Sequence, residues 1–125
     1  MQTTIQVIRS GRHWEIVSLA QANGNEVAEF LEALPLRAEK KIVRLFQTIV
    51  DDKDGPFVFR SEQKMRHLGD DVYELKSDQV RLLFFIDQPR RIIVATGFLK
   101  RTQKTPRREL DRARSARVQY FGEAK

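Results

Sequence analysis

Cysteine is absent from this chain of 125 residues, and histidine is limited to His13 and His67. Without cysteine there is no disulfide bond, no thiolate nucleophile and no cysteine-ligated zinc. Two isolated histidines do not favour a metal site either, because zinc sites group several ligands at short spacings. We therefore expect no metal and no cofactor. Any chemistry has to use Lys, Arg, Glu, Asp, Tyr or His.

Long apolar runs are absent too. No stretch approaches the ~20 apolar residues that a membrane span requires. The start of the chain holds charged and polar groups where a signal peptide needs an apolar core. We therefore expect a cytoplasmic protein without membrane contact. The length suits one domain, predicted over 1–125, with 1–12 as a candidate N-terminal extension and 106–125 as a basic C-terminal helix or tail.

The excess positive charge lies at one end of the chain. From Thr96 to Lys125 there are nine Lys or Arg and three Asp or Glu, a balance of +6 that equals the net charge of the whole protein. Such a segment is typical of a contact with a polyanion, either nucleic acid or an acidic protein partner. The alternative for its first cluster, Lys100, Arg101 and Lys104, is a solvated loop.

Apolar residues at helical spacing predict two consecutive helices in the first half. The first follows 23–25 and contains Val27, Phe30, Leu31 and Leu34, and Pro35 ends it. The second contains Ala38, Ile42, Leu45, Phe46 and Ile49, and the polar segment 51–56 ends it. Before them, 14–17 is typical of a short strand, and 5–8 is either another strand or part of an extension.

Branched and aromatic residues dominate the second half. Segments 72–76, 80–86 and 91–98 predict a three-stranded antiparallel meander. Thr105 is then expected to cap a final helix with Pro106 at its first position. The apolar face of that helix is thin, which predicts loose docking or ordering by a partner. The order β-α-α-β-β-β-α gives an α+β fold, with two N-terminal helices packed on one face of a small antiparallel sheet.

The turns of this meander predict which side chains share a face. A two-residue turn at Asp78-Gln79 makes Lys76 and Arg81 cross-strand neighbours. A turn at Gln88-Pro89 pairs Arg81 with Thr96 and places Phe98 on the same face. A one-residue slip in either turn would exchange the faces. The opposite face is apolar and suits packing under the helices: Val80, Leu82, Phe84 and Ile86.

With this register, cations and an aromatic ring meet on the uncovered side of the sheet. Lys76, Arg81 and Phe98 lie there, and Lys100 and Lys104 enter from the end of the strand. Cations beside a ring can hold phosphate while a base stacks, as in proteins that bind single-stranded RNA. The alternatives are that the cations solvate an open sheet and that Phe98 belongs to the core.

Three further residues are candidates for acid or base chemistry: Glu74, Tyr73 and His67. For Tyr73 and Glu74 the alternative is ordinary packing and ion pairing within a strand. His67 follows the basic segment that contains Lys64 and Arg66, which makes it the histidine to test.

Segments 68–76, 80–85 and 97–106, taken in this order, resemble the phage-derived HigB-like branch of the RelE/ParE toxin superfamily. The most specific of them is the run from Gly97 and Phe98 through Lys100 to Thr105-Pro106. The strand at 14–17 and the two helices fit the order of elements in that family. The resemblance covers residues 14–118 and makes the predicted domain a RelE-like toxin domain.

The resemblance implies a toxin of a type II toxin-antitoxin system that cleaves messenger RNA on the ribosome. A cognate antitoxin silences such toxins; in HigB-like systems it commonly carries a helix-turn-helix domain, so the toxin meets DNA only through it. Carried over, the functional positions are Glu74, Lys76, Arg81, Phe98, Lys100 and Lys104. The family usually has arginine where this chain has Lys76, which keeps the charge and loses the bidentate fork.

RNA cleavage needs few protein groups, because the 2′-hydroxyl is the nucleophile. We assign Arg81 to the charge that develops on the phosphate, Lys100 and Lys76 to phosphate positioning or proton transfer, and Phe98 to base stacking. The other expected RNA contacts are Lys104, Arg101, Lys64 and Arg66. Two alternatives remain: a ParE-type toxin that acts on DNA gyrase without cleaving nucleic acid, and a basic nucleic-acid-binding accessory protein.

Overall fold

One sheet and three α-helices make up the computed structural model, which describes residues 4–20, 24–101 and 104–123. Within these ranges a short 3-10 helix, Gly55–Val58, also follows the second α-helix. The other elements are β1 (Thr4–Ser10), β2 (Glu15–Ala20), α1 (Glu26–Glu32), α2 (Leu36–Asp51), β3 (Met65–Gly69), β4 (Val72–Ser77), β5 (Val80–Asp87), β6 (Arg91–Leu99) and α3 (Arg107–Glu123). The predicted α+β class is confirmed.

The sheet has six strands in the order β1-β2-β6-β5-β4-β3. Only β2 and β6 run parallel, and the predicted meander is β4-β5-β6. The predicted order β-α-α-β-β-β-α was incomplete: β1, left open at 5–8 as a strand or an extension, belongs to the sheet, and β3 precedes the meander. Both β1 and β3 are edge strands with mostly exposed or half-buried residues. The sequence of β3, Met65–Gly69, lacks the apolar alternation that reveals a strand.

Both N-terminal helices form where the sequence predicts them. Asn25 is the N-cap of α1, and its side-chain oxygen accepts a hydrogen bond from the Ala28 amide at 3.1 Å. Pro35 precedes α2 and separates it from α1. The buried face of α2 packs on one side of the sheet, against residues that include Leu82 and Phe84.

The other side of the sheet is covered by α3. Ala113 is fully buried in a cluster with Val72 and Leu83, and Leu110 packs against it. The prediction that helices cover one face only was therefore wrong. The reason is visible in β5, where consecutive residues from Leu82 to Phe85 are apolar and buried. Such a run is typical of a strand that is covered on both faces.

Polar contacts hold α3 along its length, in contrast to the loose docking expected from its thin apolar face. Arg114 and Arg117 form ion pairs with the β3–β4 turn, at 3.0 Å to Asp70 and 3.3 Å to Asp71. Near the other end of the helix, the Tyr120 hydroxyl donates to Asp87 at 2.6 Å. None of the helices in the described ranges is long and apolar enough to cross a membrane.

Candidate nucleic-acid interface

Four residues form a row across one end of the sheet, on the face that carries α3. Cross-strand pairing joins Phe98 to Arg81 and Arg81 to Lys76, and directly paired residues share a face. The Lys76 amide donates to the Lys64 carbonyl at 2.8 Å, which extends the row to the residue before β3. Phe98, Arg81, Lys76 and Lys64 are called the cationic row below.

The pairing of Arg81 with Thr96 was wrong, since Arg81 faces Phe98. Two irregularities account for the shift. The β5–β6 loop has three residues instead of two, because Asp87 pairs with Arg91, and a bulge lies between the Leu83 and Phe84 pairs. Each irregularity moves the register by one residue, so together they preserve the faces. Lys76, Arg81 and Phe98 therefore share a face as predicted.

A second row lies one step further into the sheet, under the start of α3. It consists of Thr96, Leu83, Glu74 and Arg66. The Thr96 hydroxyl donates to Glu109 of α3 at 2.7 Å. The helix begins at Arg107, one residue later than predicted. The sheet face that was expected to be uncovered is therefore occupied by α3 over this second row.

The Thr105 hydroxyl is used differently from the predicted helix cap. It donates to Oε2 of Glu74 at 2.7 Å, across to the sheet. This hydrogen bond ties the segment before α3 to the second row, beside the cations. Two residues of the signature segment 97–106, Thr102 and Gln103, lie outside the described residues.

Lys76 lies in a strongly positive environment. Its pKa is lowered, first by burial and then by repulsion from Arg66, Arg81 and Lys100, while Glu74 opposes the shift. The backbone amide of Lys100 donates to the Gln79 carbonyl at 2.7 Å, which holds Lys100 beside the β4–β5 turn. The predicted catalytic set Lys76, Arg81 and Lys100 is thus brought together.

Arg81 is only 9% exposed, and its guanidinium lies against the β4–β5 turn. Its Nη1 donates to the carbonyls of Asp78 at 2.5 Å and Val80 at 3.0 Å. Its Nε is buried without a hydrogen-bond partner. Lys41 of α2 fixes the same turn, since its ammonium bonds the Asp78 carboxylate at 2.5 Å and lowers the pKa of that group. The Arg81 charge is therefore held in one place.

Phe98 has a double role in packing. One part of it contacts the apolar cluster of α3 and the sheet, beside Leu110. It also lines an open cleft of about 460 Å³, together with Leu99, Arg101, Pro106 and Arg108. Sequence reasoning did not single out Arg108. The sequence could have indicated Arg108, because it falls in the first turn of a helix predicted to start after Thr105.

Two other expected RNA contacts, Lys104 and Lys64, are exposed.

Tyr73 and His67 are not brought to this face. Tyr73 pairs with Phe84 in register and stacks on it, with ring centroids 5.4 Å apart. The His67 ring lies 4.8 Å from Tyr73. Because side chains alternate along a strand, both residues face away from Lys76 and Glu74. Glu74 shares the face of the cations, but it is fully buried under the start of α3.

Comparison with protein families identifies the chain. A family model described as Phage derived protein Gp49-like (DUF891) matches residues 29–118, which is well over half of the sequence. The chain belongs to the phage-derived Gp49-like family. This family is related to RelE-like proteins of toxin-antitoxin systems. Comparison with curated proteins found no match.

The cationic row lies within the residues that the Gp49-like family model matches. The matched residues start within α1, include α2 and β3 to β6, and extend into α3 as far as Val118. Both β1 and β2 precede the match. All four residues of the cationic row, as well as Lys100 and Thr105, therefore belong to the part that this protein shares with its family.

Proposed function

We propose that this Gp49-like protein is the HigB-like toxin of a type II toxin-antitoxin system and cleaves messenger RNA on the ribosome. The observation that carries the proposal is the meeting of Lys76, Arg81 and Lys100 with Phe98 at one end of the sheet. Three cations can surround one phosphodiester, and the cleft beside Phe98 offers a surface for a neighbouring base.

In the proposed reaction, the 2′-hydroxyl of the RNA attacks the adjacent phosphorus. Lys76 in its neutral form accepts the hydroxyl proton, and the lowered pKa of this amine makes that form more accessible. The bond from phosphorus to the 5′-oxygen breaks and leaves a 2′,3′-cyclic phosphate. The departing oxygen takes a proton from water. Lys100 positions the phosphate, and the fixed charge of Arg81 stabilises the negative charge that develops.

Replacement of Arg81 tests this assignment. We expect Arg81→Ala to reduce cleavage on the order of 100-fold, because a preorganised charge is lost. Arg81→Lys keeps a positive charge and should lose less. The exposed Lys40 on α2 provides the control, and Lys40→Ala should cleave like the wild type. The measurement is primer extension on messenger RNA with purified ribosomes, and the thermal midpoint of each variant shows whether it is folded.

Expression in cells separates the alternatives. Codon-linked cuts in messenger RNA support the proposal. Intact transcripts together with a DNA-damage response would instead identify a ParE-type toxin that acts on gyrase. Normal growth, with binding to nucleic acid but no cleavage, would identify an accessory protein.

An antitoxin is the proposed protein partner. The cationic row and the basic start of α3 suit an acidic antitoxin segment. A helix-turn-helix protein of the HigA type is expected, so that DNA is contacted by the antitoxin and only indirectly by the toxin. Co-expression with the product of an adjacent small reading frame should restore growth and form a complex.

A further inference from the structure

Glu74 is a carboxylate with no exposed surface. Its Oε2 accepts the hydrogen bond from Thr105 at 2.7 Å, and Nη2 of Arg66 lies 3.5 Å from its Oε1. Nη2 of Arg66 also donates to the Thr105 hydroxyl at 3.4 Å. A buried carboxylate is costly unless it is paired. These three residues close a triangle that joins β3, β4 and the segment before α3.

The triangle is placed next to the proposed catalytic cations. Glu74 and Lys76 lie two residues apart on one strand and therefore point to the same face. Residues 100–105, from Lys100 to Thr105, are called the basic segment from here on. The Lys100 end is bonded to the β4–β5 turn through its backbone, and the Thr105 end is bonded to Glu74. The segment is thus tied to the sheet at both ends.

Repulsion between positive charges opposes the contact of the basic segment with the sheet. Lys100 already repels Lys76, and Arg66 and Arg81 add to the positive field there. Arg101 and Lys104 add further positive charge to this segment, so contacts to the sheet offset part of the repulsion. Glu74 supplies both a hydrogen-bond acceptor and a negative charge at Thr105, two residues before the start of α3.

We propose that Glu74 and Thr105 are positioning residues, which latch the basic segment to the sheet and keep Lys100 beside Lys76 and Arg81. The effect of the latch on cleavage rests on the proposed function, whereas its effect on the segment does not. The role replaces the acid or base chemistry considered for Glu74, because its carboxylate is covered: Oε2 accepts from Thr105, and Oε1 is ion-paired with Arg66 at 3.5 Å without a hydrogen bond.

Thr105→Val tests the latch, because it removes the hydroxyl and keeps the shape. The variant should increase hydrogen exchange of the Lys100 and Arg101 amides about tenfold and reduce kcat by about tenfold to a hundredfold, with KM less affected. Thr105→Ser keeps the hydroxyl and should restore both quantities.

Thr96→Val is the matched control. It removes a hydroxyl hydrogen bond of the same length, 2.7 Å, from the neighbouring row to Glu109 of α3. It should lower the thermal midpoint and leave exchange at Lys100 and Arg101 unchanged. Equal rates of hydrogen exchange at the Lys100 and Arg101 amides in the Thr105→Val and Thr96→Val variants would overturn the proposed latch.

A double-mutant cycle with Glu74→Gln examines whether the two residues act together. If they form one latch, the double variant should exchange no faster at Lys100 than the faster single variant. Independent, multiplicative effects on exchange would contradict the proposal. If the wild type cleaves no RNA, the proposed function fails, and the exchange measurements still decide whether the latch exists.

Discussion

At the scale of single residues, Lys76 shows most clearly how a position suited to its proposed role opposes stability. Burial and three neighbouring cations lower its pKa from the ordinary value of 10.5. The charged form is therefore less favourable in the folded protein than in the unfolded chain. Below the folded pKa this mismatch opposes folding, and it disappears as the pH rises from the folded pKa towards 10.5.

Lys76→Met should consequently raise the thermal midpoint at pH 7, by roughly 1–3 °C because partial exposure screens the charge. The gain should shrink as the pH approaches 10.5, the ordinary pKa of lysine. Cleavage should be lost, since the proposed base is gone. Calorimetry from neutral to alkaline pH measures the first effect, with Lys40→Met as the exposed control. A variant that is less stable than the wild type at pH 7 would show that Lys76 does not oppose folding.

At the scale of elements, Gly97 of the signature segment is explained by packing between β6 and α1. A Cβ atom at this position would lie 2.6 Å from Cδ2 of Phe30 and 3.0 Å from Cδ2 of Leu82. Phe30 belongs to α1, so the absence of a side chain lets the helix approach the strand. Gly97 is thus a packing residue, whereas its neighbour Phe98 belongs to the cationic row on the opposite face of the sheet.

Gly97→Ala should lower the free energy of unfolding by about 1–3 kcal/mol, the usual cost of an overpacked core. Urea denaturation measures the change. Gly122 in α3 is the matched control, because a Cβ atom there would meet nothing within 4 Å. Gly122→Ala should be neutral or stabilising, by up to about 1 kcal/mol, since alanine favours the helix. A Gly97→Ala variant as stable as the wild type would contradict the close packing of α1 on β6.

At the scale of the whole molecule, the charge is distributed unevenly. The net charge of +6 arises from Thr96 onward, where β6 ends and α3 begins. Folding adds Arg66, Lys76 and Arg81 from strands β3 to β5, and Lys64 from just before β3, to the same end of the sheet. A long anion that crosses this end would meet cations from the middle strands of the sheet as well as from the C-terminal segment.

Binding to single-stranded RNA should therefore depend strongly on salt. Four phosphate contacts predict a slope of log K against log salt of about −3. Arg101→Ala removes an exposed cation outside the group proposed to surround the scissile phosphodiester and should make the slope shallower by about 0.7. Lys40→Ala should leave the slope unchanged. Fluorescence anisotropy with a labelled RNA oligomer measures both. A slope near zero would exclude phosphate as the main contact.

Much of the site could be predicted from local sequence. The two-residue turn at Asp78-Gln79 determines that Lys76 faces Arg81, and the pairing is observed. The apolar spacing of α2 and the proline before it determine the helix and its packing face. These features depend on residues that are near each other in the chain, so their periodicity and turn chemistry are sufficient.

Other features were decided only by the tertiary structure. The bulge that pairs Arg81 with Phe98 and the coverage of the second face by α3 depend on how distant segments pack. The same holds for the bond from Thr105 to Glu74, whose residues are 31 positions apart. Local sequence identifies Thr105 as a good cap and Glu74 as a polar strand residue. The two become partners because burial under α3 leaves the carboxylate in need of a donor.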